Sequence, residues 1–499
     1  MMTCFKNSKI YKIFQKIYLF FLIPFRKTFL YKLFMNDLPT KAFRESKTAK
    51  LMGKIAQFFG WISHLITESF TYRSLKNWCT GTTVTEIVST SKILNWFHAD
   101  SSGYSFSFLI FLMVLFLAGI LPTMAVVALC LLALGFAFLE ADFEKNLKQT
   151  KPIVTDMLIG FYLIALVYGL LISKSPDKLQ IFLVYFVFVG LYYVVRYFVS
   201  TPRRLMMSIS YFTLSGIVVC AYGYLQYITG SYEMTTWTDT NLFTDISGRI
   251  YSTFQNPNVF GEYLLFLIPL ALAMCIIAKE KLHKIVYGVC TVAALGCLIL
   301  TYSRGCWLGL IAGMGLFIIL LYRKALVPIV LASPFALLVL PQSILNRFMS
   351  IGNLKDNSTA YRVYIWRGSV DMLKKLWPTG VGLGNYSYEM SYAPYAYNAI
   401  MAPHSHSLYF HQLCETGIFG FIVFISLAFF TLKQLFMVYK HPKSQELGVL
   451  AVALISGFTA FLIQSFFDNT FYNYRIYMFF FAFLSLAASL FAVGEEETK

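Results

Sequence analysis

Three stretches of the chain, 107–121, 157–172 and 478–493, run for fifteen residues or more without one charged side chain. In lipid every backbone polar group must be paired within its own segment, so runs of this kind commit a chain to membrane-spanning helices. Hydrophobic residues make up 58% of the sequence and charged residues 13%, where a soluble domain carries about a quarter charged. A secreted domain and a disordered chain are thereby excluded. The balance of 41 basic against 24 acidic residues gives +17. In a soluble protein that excess would point to nucleic acid. In a membrane protein it marks the cytoplasmic faces instead.

With about 20 largely apolar residues per crossing, roughly twelve spans are expected. They fall at 105–121, 123–139, 153–172, 179–199, 206–228, 259–278, 285–303, 306–322, 326–341, 416–438, 447–467 and 476–493. Counting alternately from a cytoplasmic amino terminus collects Lys145, Lys148, Lys151, Arg203, Arg204, Lys279, Lys281, Lys284, Arg323, Lys324, Lys440 and Lys443 in the inside loops. Both termini are then cytoplasmic. The expected fold is all-α and polytopic, with a large extracytoplasmic loop over about 342–415. That loop is rich in Trp and Tyr, and helical apolar spacing over 362–376, stopped by Pro378 and Gly380, predicts a short amphipathic helix within it.

Residues 1–100 are distinct, with fifteen Lys and Arg against five acids. Ile10, Ile13, Phe14, Ile17 and Phe21 follow helical spacing, with Lys9, Lys12 and Lys16 on another side. A helix in the membrane interface and a solvated helix on the protein's own cytoplasmic loops both fit. The nine cysteines include no C-x-x-C pair, so neither a zinc site nor a disulfide framework is indicated.

An ionisable group near a membrane core costs about 2.5–3.5 kcal/mol on insertion scales and invites a functional explanation. Arg304 sits between two apolar runs with glycines at 305 and 309. Arg249 precedes Asn256-Pro257-Asn258, where Asn258 is the expected N-cap of the next span. His404, His406 and His411 lie within eight residues of one another. A zinc site, a general base and ordinary loop histidines are all readings of that group. Asp468 and Arg475 bracket the last outer turn and either pair with each other or orient the histidine or an arginine. Arg249, Arg304, His406 and Asp468 come from four separate regions, yet the topology puts all four on the outer face. Two planar guanidinium groups suit a diphosphate, a histidine suits activation of a hydroxyl, and a wide membrane body suits a lipid substrate.

In these residues the chain resembles the bacterial O-antigen ligase and polymerase superfamily. The arginine motif is Ser303-Arg304-Gly305-Cys306-Trp307-Leu308-Gly309. The loop motif is His406-Ser407, nine residues, then Gly417-Ile418-Phe419-Gly420. The Arg249 to Gly261 segment, Arg362 with Trp366, and the Gly-x-Gly turn before Gly384 complete the likeness. It covers about residues 105–495. The first hundred residues lie outside it, and 101–499 is expected as one O-antigen ligase-like domain.

The resemblance implies transfer of a glycan from an undecaprenyl-diphosphate carrier to a glycan, lipid or protein hydroxyl, inverting and independent of metal or other cofactor. His406 would be the base, with Arg249 and Arg304 on the diphosphate and Asp468 in support. Arg362, His404 and Asn258 are the further candidate binding residues. The implied partners are membrane lipids and other surface-polysaccharide assembly proteins, not nucleic acid. The competing reading is a non-catalytic flippase or exporter of lipid-linked oligosaccharide. It requires charged residues along a mid-membrane path, and the middles of the spans are almost purely apolar.

Overall fold

The computed structural model describes residues 68–80, 105–140, 153–231, 248–326, 341–353 and 356–495, with isolated positions between them. It is 82% helix, with no strand among the described residues. The expected helix near residues 10–21 and most of the expected span 326–341 lie outside those residues. In chain order the helices are α1 (Phe70–Thr80), α2 (Phe106–Leu117), α3 (Thr123–Glu140), α4 (Val154–Ile172), α5 (Lys178–Phe198), α6 (Pro202–Thr229), α7 (Pro257–Ile277) and α8 (Lys281–Leu300). They continue with α9 (Arg304–Leu321), α10 (Gln342–Met349), α11 (Asn357–Leu376), α12 (Asn385–Tyr392), α13 (Leu408–Lys440), α14 (Gln445–Gln464) and α15 (Tyr474–Glu495).

Ten of these, α3 to α9 and α13 to α15, are long and apolar enough to cross a membrane. The first expected span is an apolar helix of only 12 residues, α2. The count among the described residues is therefore ten rather than about twelve. Local chemistry sets several ends. Thr201 accepts from the Arg204 amide ahead of Pro202, and Ser444 accepts from the Leu447 amide at 3.3 Å. Gly230 closes α6 in the left-handed conformation.

A helix that is apolar all round belongs in the interior. The spanning window of α15 is 94% buried, against 22% for α3 at the periphery. Phe483 meets Phe212 and Phe266, each at 4.7 Å between ring centroids. Lipid tails are as apolar as these rings, so close packing rather than exclusion from water holds the bundle together. The last glycine of the arginine motif and the glycine four residues after it serve the same end. Gly309 and Gly313 face the backbone carbonyls of Ala460 and Ser456 so closely that a Cβ at either would collide. They let α9 lie directly on α14, as four-residue spacing of small residues does in membrane helices.

The starts of α5, α7, α9, α13 and α15 meet the ends of α4, α6, α8 and α14 at one end of the bundle. There the segment 342–407 forms a second layer with its own core of Ile365, Met372, Leu373, Tyr388 and Tyr392. The expected amphipathic helix is α11. The other end carries Arg204, Lys279 paired with Glu446 at 3.7 Å, and Lys443 donating to the Val493 carbonyl at 2.6 Å.

The last outer segment and the tenth expected span join through a break. Gly417 has φ 63° and ψ −169° inside α13, a region open almost only to glycine. The turn before it docks on the large loop, with the Val381 amide donating to the Cys414 carbonyl at 2.6 Å. A Cβ on Gly417 would meet the Pro378 carbonyl oxygen at 2.5 Å. Gly417→Ala is expected to destabilise the protein by about 1–3 kcal/mol from backbone strain alone. Thermal unfolding of the purified, detergent-solubilised protein measures this, and an unchanged midpoint would contradict it.

Candidate active site

Arg304 is the first residue of α9, where the positive end of the helix dipole disfavours a cation. Its guanidinium is compensated by an ion pair with Asp356. It also donates to the Ser350 carbonyl at 3.1 Å and to the Ser358 hydroxyl at 2.7 Å. Asp356 is the N-cap of α11 and accepts from the Ser358 amide at 3.1 Å. Burial works to raise the Asp356 pKa, but the charges of Arg304 and Arg347 outweigh it and hold the carboxyl below its usual range. One ion pair thus ties the start of a spanning helix to the large loop.

A second chain of contacts crosses the same end. Arg249 donates through Nε to the Thr301 carbonyl at 2.7 Å and through a terminal nitrogen to Asn258 Oδ1 at 2.8 Å. Asn258 Nδ2 donates to Asp468 Oδ2 at 3.1 Å. Asp468 Oδ1 lies 3.3 Å from His406 Nδ1, and Arg362 stands 3.8 Å from Asp468 Oδ2. Asn258 is not the N-cap expected of it. Asn256 caps α7 by accepting from the Asn258 amide at 2.8 Å, because Pro257 occupies the first helical position. The Asn258 side chain is thereby free to bridge Arg249 and Asp468.

Burial alone would raise the Asp468 pKa. The hydrogen bond from His406 and then the charge of Arg362 win, so the carboxyl lies well below its ordinary value. Arg249 is pushed the other way. Burial, and then the charges of Arg347, Arg362 and Arg304, move its guanidinium well below the usual arginine value. Four guanidinium groups therefore share one poorly solvated region, and an incoming anion would relieve their repulsion. Arg362 Nε is buried without a hydrogen-bond partner, so this guanidinium has an unmet donor.

His406 has φ 47°, uncommon for a residue other than glycine. The contacts that hold it there are the His406 amide donating to His404 Nδ1 and Trp366 Nε1 donating to the His406 carbonyl, both at 3.3 Å. Its side chain is 31% exposed while that of Asp468 is 6% exposed. Donation from Nδ1 to Asp468 leaves the lone pair on Nε2, the arrangement in which a carboxylate orients an imidazole base. His404 is different in kind. Its ring stacks on Tyr472 at 5.1 Å and 18°, and burial, then the neighbouring His406, push its pKa well below the ordinary histidine value. His404 is a neutral wall and acceptor.

All seven residues singled out in the sequence, Arg249, Asn258, Arg304, Arg362, His404, His406 and Asp468, lie in this connected region. Arg475 does not pair with Asp468; it donates to the Thr253 carbonyl at 2.8 Å and lies over the Phe254 ring. Sequence reasoning missed Asp356, Arg347 and Tyr472. It also missed Glu262 of α7, fully buried, which accepts from Gln464 Nε2 at 3.3 Å. His404, His406 and Asp468 offer ligand atoms all within 4.8 Å of one another and could hold a metal ion. The guanidinium groups of Arg362 and Arg249 beside that group oppose a second cation.

Residues 289–425 match the family described as O-antigen ligase. This supports the O-antigen ligase and polymerase superfamily and, with the ten apolar helices, a multi-pass membrane protein. The matched segment contains Arg304, Arg362, His404 and His406; Arg249, Asn258 and Asp468 lie outside it. No curated protein matches the chain.

The depressed His404 pKa has a consequence for stability. The unfolded chain binds a proton here near pH 6.5 and the folded one only at lower pH, so stability is full above about pH 6.5. It falls as acidification proceeds toward the folded value. His404→Asn should flatten this acid limb of the midpoint-against-pH curve relative to wild type. Parallel curves for the two proteins between pH 7 and 5 would contradict the assignment.

Proposed function

We propose that the protein transfers a glycan from a polyprenyl-diphosphate carrier, undecaprenyl diphosphate in bacteria, to an acceptor hydroxyl at the outer face of the cytoplasmic membrane. The observation that carries this reading is an accessible imidazole, oriented by a buried carboxylate, beside four clustered guanidinium groups. The match of residues 289–425 to the family described as O-antigen ligase supports the general class of activity, and this geometry supports the particular chemistry. The outer location rests on the opposite end of the bundle, where Arg203, Arg204, Lys279, Lys281, Lys284, Lys440 and Lys443 collect as cytoplasmic residues do.

In the proposed step the acceptor oxygen attacks the anomeric carbon as its proton passes to His406 Nε2. The bond from that carbon to the diphosphate oxygen breaks, and the electron pair leaves with the diphosphate. Attack opposite the leaving group inverts the anomeric centre. The products are the extended glycan, the carrier diphosphate and one proton, which His406 releases to water. Arg304 and Arg362 stabilise the charge that builds on the departing oxygens. Arg249 acts from behind, setting Asn258 and through it Asp468. Fixed donors in a poorly solvated site favour the transition state because they need no rearrangement as charge develops. Charged, planar guanidinium groups would meet that need without a metal.

Purified protein, lipid-linked glycan and acceptor test the scheme directly. His406→Ala is expected to lower turnover by roughly 10²–10⁴-fold, the usual worth of a positioned base. Arg304→Lys should lose about 10²-fold or more, since a point charge replaces a planar fork. Wild-type rates in either variant would sink the role assigned to it, and loss of activity in EDTA with recovery in zinc would sink the metal-free scheme. Glycan from a deletion strain separates the two forms of the reaction. Single repeats still attached indicate a polymerase, and long carrier-linked chains left unattached indicate a ligase.

A further inference from the structure

A recess of about 450 Å³ is lined by Tyr472, the stacking partner of His404. It is within the range of about 300–1,000 Å³ typical of small-molecule sites. Its walls include Asp177 from the turn between α4 and α5, Asn385 and Tyr386 at the start of α12, His411 and Glu415 of α13, and Tyr472. Among the described residues that line it none is lysine or arginine, and two are carboxylates. This is the reverse of the charge around Arg249, Arg304 and Arg362. A diphosphate has no counter-charge here.

The recess is close to the base. The His411 ring lies 6.4 Å from that of His404, which lies 4.2 Å from that of His406. His411 pairs through Nε2 with Glu415 Oε1 at 3.3 Å, and that oxygen also accepts from the Gly384 amide at 3.1 Å. His411 is 2% exposed, and its Nδ1 has no hydrogen-bond partner. A buried polar atom left unmet is disfavoured unless something fills the place. Tyr386 is 47% exposed, an aromatic surface offered to whatever enters. Aromatic faces for C–H groups, with carboxylate, amide and imidazole groups for hydroxyls, suit the two-sided chemistry of a sugar ring.

We propose that this recess binds an uncharged sugar of the acceptor, holding it so that its reactive hydroxyl reaches His406 while its charge-free body is selected by Asp177 and Glu415. The role as acceptor site rests on the transfer reaction proposed above; the binding of a neutral sugar does not.

Saturation-transfer NMR on the full chain in nanodiscs, with glucose, galactose, rhamnose, N-acetylglucosamine and glucuronate as probes, tests it. At least one neutral sugar should bind saturably, and glucuronate about tenfold or more weaker. Tyr386→Ala and Asp177→Arg alter exposed side chains, so the fold should be kept. The first should weaken neutral-sugar binding about tenfold, and the second should narrow the discrimination against glucuronate. His406→Ala should bind like wild type. Binding of no neutral sugar, equal affinity for glucuronate, or affinities untouched by Tyr386→Ala would each overturn the site. The two readings fail separately. A protein that binds sugar through Tyr386 yet transfers nothing loses the transferase reading and keeps the recess. One that transfers with unaltered acceptor KM in Tyr386→Ala loses the recess and keeps the transferase.

Discussion

One buried carboxylate organises the candidate active site. Asp468 accepts from Asn258, from the Asn469 amide at 3.0 Å and from His406, and stands beside Arg362. A charge taken out of water persists only if its partners replace the lost hydration, and here those partners come from the start of α7, the large loop and the turn before α15. The same contacts orient His406 and link it, through Asn258, to Arg249. Removing the carboxylate would therefore disconnect three regions far apart in sequence.

The arginine cluster adds an opposing requirement. Each guanidinium is welcome next to its own acceptor, Asp356 for Arg304 and Asp468 for Arg362, but the group repels itself at short range. Asp356 pairs with Arg304 and also faces the charge of Arg347, and Asp468 stands beside Arg362. The unmet Nε of Arg362 and the downward pressure on Arg249 express what is left over. Like charges held close in a poorly solvated site favour an anionic ligand over a neutral one, which is why the proposed donor is a diphosphate. Their placement also makes the flippase reading less economical, because a path across the membrane would need such groups along its length. Here they gather at one end.

Much of this was legible in the sequence because the membrane makes charge informative. Arginines at 249 and 304 oppose the pattern that places most Lys and Arg at the other end, and the topology puts them on one face with His406 and Asp468; Arg362 was legible only through the family resemblance. The Asn256-Pro257-Asn258 turn was read one residue group too late: proline at the first helical position designates Asn256 as the cap. Asp356 was not legible, because an acid before Asn357 and Ser358 looks like an ordinary helix cap, and its second role depends on the fold of 341–356. Tyr472 offered only an aromatic residue in a turn. Gly417 appeared as a motif letter, and its reason is a backbone conformation no other residue adopts readily. The expected span 105–121 was longer than the 12-residue helix α2 that it forms, and most of the expected span 326–341 lies outside the described residues.

The distribution of charge about the histidines bears on how the reaction would be organised. An inverting displacement needs the nucleophile and the leaving group on opposite sides of one carbon. Guanidinium groups gather about Asp468 and Asp356, while the recess lined by His411 and Tyr472 carries Asp177, Glu415 and further tyrosines. A diphosphate is drawn to the first region and repelled from the second, while a hydroxylated neutral ring finds acceptors and an aromatic face on the second and little use for the cations. Each substrate is thus excluded from the other's place by electrostatics before any shape is considered. In the proposed reaction the base stands between the two, its imidazole oriented through Nδ1 by Asp468 and partly exposed. The sorting of charge would then favour an in-line arrangement of the two substrates.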